Sequence, residues 1–334
     1  MRAVALLSGG LDSTLAAKVV LEQGIELEAL NFITIFCNCT NRGETCLASQ
    51  KAVESLGIPL RVFNVSEEYL EVVKHPKHGY GRNMNPCIDC RIFMMKKAKE
   101  YMAEAGASFL VTGEVLGERP MSQRRDAMRL IEREANLEGL ILRPLSAKLL
   151  PPSIPEKEGW IDRERLLNIQ GRSRKPQIQL AALFGIHDYP CPAGGCLLTD
   201  PGFAKRIRDL MVHDPGFTLN DVHLLKLGRH FRLSLEAKLV VGRNEEENQK
   251  IQAFSREDDL LIKVAHHPGP FSLLRGKADE GEIERAAAIT ARYSKAKQLA
   301  KVEVICRKVP EETQRSLIVS PASETGIEGL MTHE

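Results

Sequence analysis

No apolar run in this chain is long enough to cross a bilayer. The first residues also lack a signal-peptide pattern, because a strand and a glycine turn follow Met1-Arg2 at once. Together these absences lead to the expectation of a cytoplasmic protein with no membrane partner. The formal net charge is only +2, which excludes nucleic-acid binding argued from bulk charge and leaves local patches to carry any such case. The low-hydrophobicity signature of large-scale disorder is missing, with hydrophobic residues at 43% and charged residues at 27%. At 334 residues the chain exceeds the usual size of one domain, so two are expected. Its 8 cysteines, in a reducing compartment, point away from structural disulfides and towards metal, cluster or sulfur chemistry.

Two glycine patterns are also missing. There is no G-x-G-x-x-G, and no Gly-Lys-Ser/Thr closes a phosphate loop. In their place stands Leu6-Leu7-Ser8-Gly9-Gly10-Leu11-Asp12-Ser13-Thr14. Val4 to Leu7 reads as a short buried strand and Leu11 to Glu22 as a helix. Glycines between them allow a tight turn in which backbone N–H groups converge on an anion at the helix N-terminus. Ser13 and Thr14 add hydroxyl donors, and Asp12 can hold a Mg²⁺ that offsets phosphate charge. The stretch resembles the SGGxDS signature of the PP-loop ATP pyrophosphatases, the adenine nucleotide alpha hydrolase-like enzymes. That resemblance implies ATP held by Ser8, Gly9, Gly10, Asp12, Ser13 and Thr14, and a substrate activated as an adenylate with release of pyrophosphate.

Strand and helix patterns alternate after the loop: strands over Ile25 to Ile35 and Leu60 to Val65, helices over Ala48 to Leu56 and Glu67 to Val73. The alternation predicts an α/β fold with a doubly wound parallel sheet, ligands binding beyond the strands' C-terminal ends. His75 to Asn85 is polar and glycine-containing, and is expected to be a mobile loop over the site. Asn85-Pro86-Cys87-Ile88-Asp89-Cys90-Arg91 then opens a basic amphipathic helix to about Ala105. Cys87 and Cys90 share one face, and the helix start with Arg91 should lower their pKa values. CxxC alone fits a zinc half-site, a redox pair or an iron–sulfur half-site. In its Asn-Pro context it resembles the catalytic segment of the tRNA thiouridine synthases (ThiI/MnmA-like), themselves PP-loop enzymes.

Ser108 to Val115 reads as a further strand, ending in Thr112-Gly113-Glu114. Its resemblance is to the thiolation branch of the PP-loop family, which implies that Gly113 lies against the nucleotide. Arg119, Arg124 and Arg125 follow, and Arg172, Arg174 and Lys175 form a second basic cluster beside Gly171 and Ser173. Each group is either a phosphate or RNA contact or a solvated surface. Leu140 to Leu145 is expected as the last core strand, and Asp162 as the N-cap of a helix through Leu167.

Gly194-Gly195-Cys196 is the second sulfur-bearing feature. The resemblance to the thiouridine synthases makes Cys196 the late cysteine that returns to the CxxC region. Cys87, Cys90 and Cys196 would then ligate a [4Fe–4S] cluster with one open iron, as in the cluster-dependent thiolases. Alternatively Cys90 and Cys196 act as a persulfide pair. Cys37, Cys39 and Cys46 either bind metal, with His75 or His78, or are loop thiols near the site.

From Leu219 strand signals increase and the composition turns mildly basic. Lys238-Leu-Val-Val-Gly-Arg-Asn and the later His266-His267-Pro-Gly-Pro resemble the NFACT-R-type RNA-binding domain. The expected division is 1–214 for the PP-loop domain, 215–310 for a second, smaller α+β domain, and 311–334 as a poorly ordered tail. The resemblances imply an ATP-dependent sulfurtransferase with Asp12, Cys90 and Cys196 in catalysis, tRNA as partner, and a cysteine desulfurase or inorganic sulfide as sulfur donor. A PP-loop enzyme that adenylates a small molecule for sulfur insertion or amidation is the alternative.

Overall fold

A run such as Ala3-Val4-Ala5-Leu6 has no polar face, and it suits the interior of a parallel sheet covered by helices on both sides. In the computed structural model, which describes residues 1–37, 44–189, 196–311 and 313–332 (without the side chains of 44–47), that run takes the central position. The chain divides into two compact units, Met1–Leu197 and Leu198–Glu334.

The first unit holds β1 (Arg2–Leu6), α1 (Leu11–Leu21), β2 (Glu26–Ile33), α2 (Glu44–Leu56), β3 (Leu60–Asn64), α3 (Ser66–Lys74), α4 (Cys87–Glu104), β4 (Phe109–Thr112), α5 (Arg125–Glu134), β5 (Ile141–Leu142), α6 (Ile154–Lys157) and α7 (Lys175–Leu183). Its sheet runs β3-β2-β1-β4-β5, parallel throughout, with Ala5 opposite both Ala29 and Val111. Side chains alternate along each strand. Ala3, Ala5 and Leu7 join Phe109 and Val111 in a core with Leu11, Leu15 and Val19 of α1 and Ala181 of α7. Val4, Leu30, Leu110 and Ile141 face the other way, onto Ile92, Met95 and Met102 of α4 and Ile131 of α5. The sheet is doubly wound, and its order reverses between β1 and β4. At such a switch point the two connections leave in opposite directions and open a crevice at the strands' C-terminal ends.

Some local expectations need correction. The strand expected over Leu140 to Leu145 is only Ile141–Leu142, because Pro144 ends it. Asp162 does cap, accepting from the Glu164 N–H at 2.9 Å, but the element is a short 3₁₀ turn, Arg163–Arg165. The loop expected to be mobile is tied down: the N–H groups of Lys77 and His78 donate to the buried Asp89 carboxylate at 3.1 and 2.9 Å, and the Tyr80 hydroxyl to the Val73 carbonyl at 2.5 Å. The His78 ring pairs with Glu134 at 3.1 Å.

The second unit holds α8 (Pro201–His213), α9 (Leu219–Leu225), β6 (Arg229–Arg232), β7 (Lys238–Val241), α10 (Glu245–Ala253), β8 (Leu260–Val264), β9 (Ser272–Arg275), α11 (Glu280–Arg292), β10 (Val302–Lys308) and β11 (Gln314–Val319). Its antiparallel sheet has the order β11-β10-β8-β9-β7-β6. Ala286, Ala287 and Ile289 of α11 fill one core with Phe231, Leu239 and Ile262.

The boundary therefore falls after Leu197, not at Asp214. Helix α8 belongs to the second unit because Asp209 pairs with Arg232 of β6 at 2.7 Å and Lys238 of β7 at 2.8 Å. The segment expected as a poorly ordered tail completes this unit. β11 covers the edge of β10 with Val304 opposite Leu317, and Ile327 is 7% exposed within the core. A sheet edge left bare would present unpaired N–H and C=O groups, and this segment satisfies them.

Candidate active site

The turn between β1 and α1 is shaped by its glycines. Gly9 has φ +76°, a left-handed conformation that side-chain-bearing residues rarely adopt, and a Cβ there would lie 2.5 Å from the backbone of Ala48 and Ser49. From the neighbouring strand, Gly113 approaches α1 so closely that a Cβ would come within 2.5 Å of the Asp12 carbonyl carbon. The Gly10 carbonyl accepts from the Ser13 hydroxyl at 2.9 Å, the Thr14 hydroxyl at 3.0 Å and the Thr14 N–H at 3.1 Å. Ser8 and Ser13 place their hydroxyl oxygens 3.3 Å apart. Gly10 caps α1 without a side-chain bond, so the first N–H groups of the helix have no cap of that kind, the usual setting for an anion.

Asp12 is the charged centre of this turn. Its Oδ1 atom is buried and has no hydrogen-bond partner among the described residues. Burial pushes its carboxyl above the ordinary value, against the pull of Arg174, Gln177 and Arg119. Gln177 is fully buried, and neither of its amide atoms completes a hydrogen bond within the described residues. Sequence reasoning missed it; the signal available was only its position behind the basic cluster. The segments meet because Leu116 forms a parallel bridge with Gln170, the Gly171 N–H donating to the Leu116 carbonyl at 2.8 Å. The loop after β4 and the basic segment before α7 thus approach Asp12 together. A carboxylate with one buried, unpartnered oxygen, near two cations and a helix N-terminus, has the charge pattern of a phosphate-binding centre.

The thiols form the other half of the site. Cys87 and Cys90 open α4, the Cys90 N–H donating to the Pro86 carbonyl at 2.8 Å. Both thiols lie above the usual cysteine pKa, not below it as expected. Burial raises them and outweighs Arg119 and Arg91 at Cys87, and Tyr69 and Arg91 at Cys90. Arg91 is fixed by Glu114, which pairs with it at 3.1 Å and with Arg143 at 2.9 Å. Burial opposes the Glu114 charge, yet the two guanidinium groups hold its carboxyl below the ordinary range.

Tyr69 is a residue that sequence reasoning did not single out. Its ring lies between Phe36, at a centroid distance of 6.0 Å, and Phe93, at 5.8 Å. Its buried hydroxyl faces the Cys90, Cys196 and Cys87 thiols, whose charge with burial pushes its pKa up, though no hydrogen bond of ordinary geometry closes on it. Cys37 belongs to the same group, acting on Cys90 through its charge and forming an antiparallel bridge with Cys196.

Of the expected cations, Arg119 and Arg174 reach this centre. Arg124 is exposed and pairs with Asp126 at 3.1 Å, Arg125 donates to the Leu149 carbonyl at 2.9 Å, and Arg172 and Lys175 are exposed. Cys39, the Cys46 side chain, Cys191, Gly194 and Gly195 lie outside the described residues. Among the described residues, no three His, Cys, Asp or Glu side chains are grouped to hold a metal ion. The [4Fe–4S] cluster expected at Cys87, Cys90 and Cys196 is therefore not shown.

Residues 1–148 match the family model described as Thiamine biosynthesis protein (ThiI). The loop at Ser8–Thr14 lies within that match. Residues 228–331 match the NFACT protein RNA binding domain. The tRNA-specific 2-thiouridylase MnmA of Syntrophotalea carbinolica is 32% identical over 114 residues, 32% of this chain and 32% of the relative. A protein of Ureaplasma urealyticum serovar 10 named "Probable tRNA sulfurtransferase" is 30% identical over 148 residues, 43% of this chain and 36% of the relative. This chain thus spans about a third of the length of these curated relatives. A solved 4-thiouridine synthetase–RNA complex with bound ATP aligns with a TM-score of 0.35 and 23% identity, covering 55% of this chain and 51% of that one. The first unit is similar to enzymes of tRNA thiolation, and the second to an RNA-binding module.

Proposed function

We propose that this chain is an ATP-dependent tRNA sulfurtransferase. The observation that carries the reading is the reach of Arg119 to both halves of the site: its charge acts on Asp12 of the PP-loop and on the Cys87 thiol. In this reading the group activated at the loop receives its sulfur from the cysteine group, which shares Arg119 with it through Cys87.

In this reading the N-terminus of α1 and the Ser8, Ser13 and Thr14 hydroxyls bind the triphosphate, with Gly113 letting the end of β4 pack directly against the loop. Asp12 would hold a Mg²⁺, which would neutralise phosphate charge. Arg119 and Arg174 stabilise negative charge on the α-phosphate as the base carbonyl oxygen attacks and pyrophosphate leaves. Sulfur carried on the cysteine group, with Cys90 and Cys196 as its reactive members, then displaces AMP from the adenylated carbon. The exposed Arg124, Arg125, Arg172 and Lys175 and the NFACT-R-like unit supply contacts to the RNA backbone.

Radiolabelled ATP with bulk tRNA tests the activation step. Pyrophosphate release that depends on tRNA is expected; its absence, or release driven by a small molecule alone, overturns the reading. An anaerobic absorption spectrum tests the sulfur route. A colourless, iron-free and active protein would support the persulfide route, whereas bands of a [4Fe–4S] cluster lost on replacing Cys87, Cys90 or Cys196 would assign sulfur delivery to the cluster.

A further inference from the structure

We infer that Cys37 is the resolving thiol of Cys196: the two close into a disulfide that releases sulfur carried on Cys196. The inference rests on the sulfurtransferase reading for its role, and on backbone geometry for the pairing.

Cys37 follows the second strand, and Cys196 returns to it as an isolated antiparallel bridge. The Leu197 N–H donates to the Phe36 carbonyl at 2.9 Å, one residue beyond Cys196 and one before Cys37. A bond in that flanking place puts the two cysteines at the non-hydrogen-bonded position of the ladder. Directly opposed residues there have Cα atoms about 4.5 Å apart and their side chains close together. Disulfides use Cα separations of about 4.4–6.8 Å, so a pair at such a position lies within disulfide reach. The Cys37 sulfur is held in place, accepting from the Thr34 N–H at 3.4 Å and lying 3.3 Å from the Thr34 hydroxyl. Phe36, packed on Tyr69, fixes the adjoining backbone.

In the step assigned to it, the terminal sulfur of a Cys196 persulfide has displaced AMP and joins the base carbon to Cys196 Sγ. The Cys37 thiol gives its proton to solvent, and its thiolate attacks Cys196 Sγ. The Cys37–Cys196 bond forms, the bond between Cys196 and the transferred sulfur breaks, and its electron pair stays on the base as thiocarbonyl sulfur. The two cysteines have lost two electrons, and the sulfane sulfur has gained them. An external dithiol reduces the pair for the next cycle.

The pairing is tested without ATP or tRNA, so that its outcome is independent of thiolation. The full chain is oxidised with diamide, blocked, digested and mapped by mass spectrometry. A cross-link between the peptide spanning 19–42 and the peptide bearing Cys196 is expected, lost in Cys37→Ser and in Cys196→Ser but retained in Cys39→Ser and Cys191→Ser. Retention in Cys37→Ser, loss in Cys39→Ser, or a link from Cys196 to Cys90 instead overturns it. Circular dichroism of each variant confirms folding, and Cys37→Ala serves if the serine variant unfolds. The role is tested in a single turnover on tRNA: Cys37→Ser should accumulate a protein–RNA adduct that dithiothreitol releases, at ten times or more the wild-type level. Equal adduct in both overturns the resolving role. A wild type that releases no pyrophosphate with tRNA overturns the sulfurtransferase reading, and the peptide map alone then decides the pairing.

Discussion

Glu114, 1% exposed at the end of β4, holds Arg91 of the cysteine helix by an ion pair of 3.1 Å and Arg143 by one of 2.9 Å. The end of a strand of the parallel sheet thereby sets the position of the cation beside Cys87 and Cys90. Glu114→Gln leaves both guanidinium groups without this counter-charge, and removing one member of a buried pair costs about 3–5 kcal/mol. The Glu114 pKa is lowered, so its stabilisation is complete above the ordinary carboxylate range and is lost as the pH falls through its folded value. Urea unfolding should therefore show a large difference between wild type and variant at pH 7 that shrinks only in acid. A difference independent of pH would contradict this account.

Asp12→Asn should separate stability from activity. The Asp12 pKa is raised, so its charge destabilises the fold above its folded pKa, and the penalty fades as the pH falls towards its unfolded value. The amide should raise the melting temperature at pH 7 and make no difference in acid. Pyrophosphate release should fall by about 100-fold or more, the scale of losing a group that stabilises transition-state charge. Calorimetry and the release assay, run on the same preparations, check both halves.

Arg119→Ala should slow alkylation of Cys87. The guanidinium lowers that thiol's pKa, so its loss raises it further and leaves less thiolate at any given pH. Peptide-resolved iodoacetamide labelling from pH 7 to 10 should place the Cys87 midpoint higher in the variant. The cysteine of β10, Cys306, pushed up to about 11 by burial and with Arg119 absent from the charges acting on it, serves as the internal control.

The glycines of the site should differ in their tolerance. Gly113→Ala brings a methyl group against the Asp12–Ser13 backbone, and Gly9→Ala one against Ala48 and Ser49 at a left-handed φ. Overpacking of this kind costs about 1–3 kcal/mol. At Gly10 the nearest atom to an added Cβ is the Ser8 hydroxyl oxygen, at 3.4 Å, so Gly10→Ala should unfold near the wild-type midpoint. Chemical denaturation of the three variants gives the order.

Several features are legible in the amino-acid sequence because their causes lie within a few neighbouring residues. The apolar run ending at Leu7, the two glycines and the helix from Leu11 specify a strand, turn and helix locally. Pro86 before Cys87 marks the start of α4, and Asp200 caps α8 by accepting from the Phe203 N–H at 2.7 Å. The alternation of strands and helices implies the parallel doubly wound sheet. Tertiary packing decided the remainder, through contacts between segments far apart in the chain. Arg119 and Arg124 belong to one basic stretch, yet the Leu116–Gln170 bridge turns only the first toward Asp12, while Arg124 pairs with its neighbour Asp126. The thiols beside Arg91 are raised and not lowered, because desolvation depends on everything packed around a group while the charge next to it in sequence is one contribution. Tyr69 carries no motif of its own, and Cys37, legible only as a metal ligand or a loop thiol near the site, gains its partner when the end of β2 meets Cys196. Residues 314–319 look like a tail in isolation and become β11 because the edge of β10 supplies the hydrogen-bond partners they lack alone.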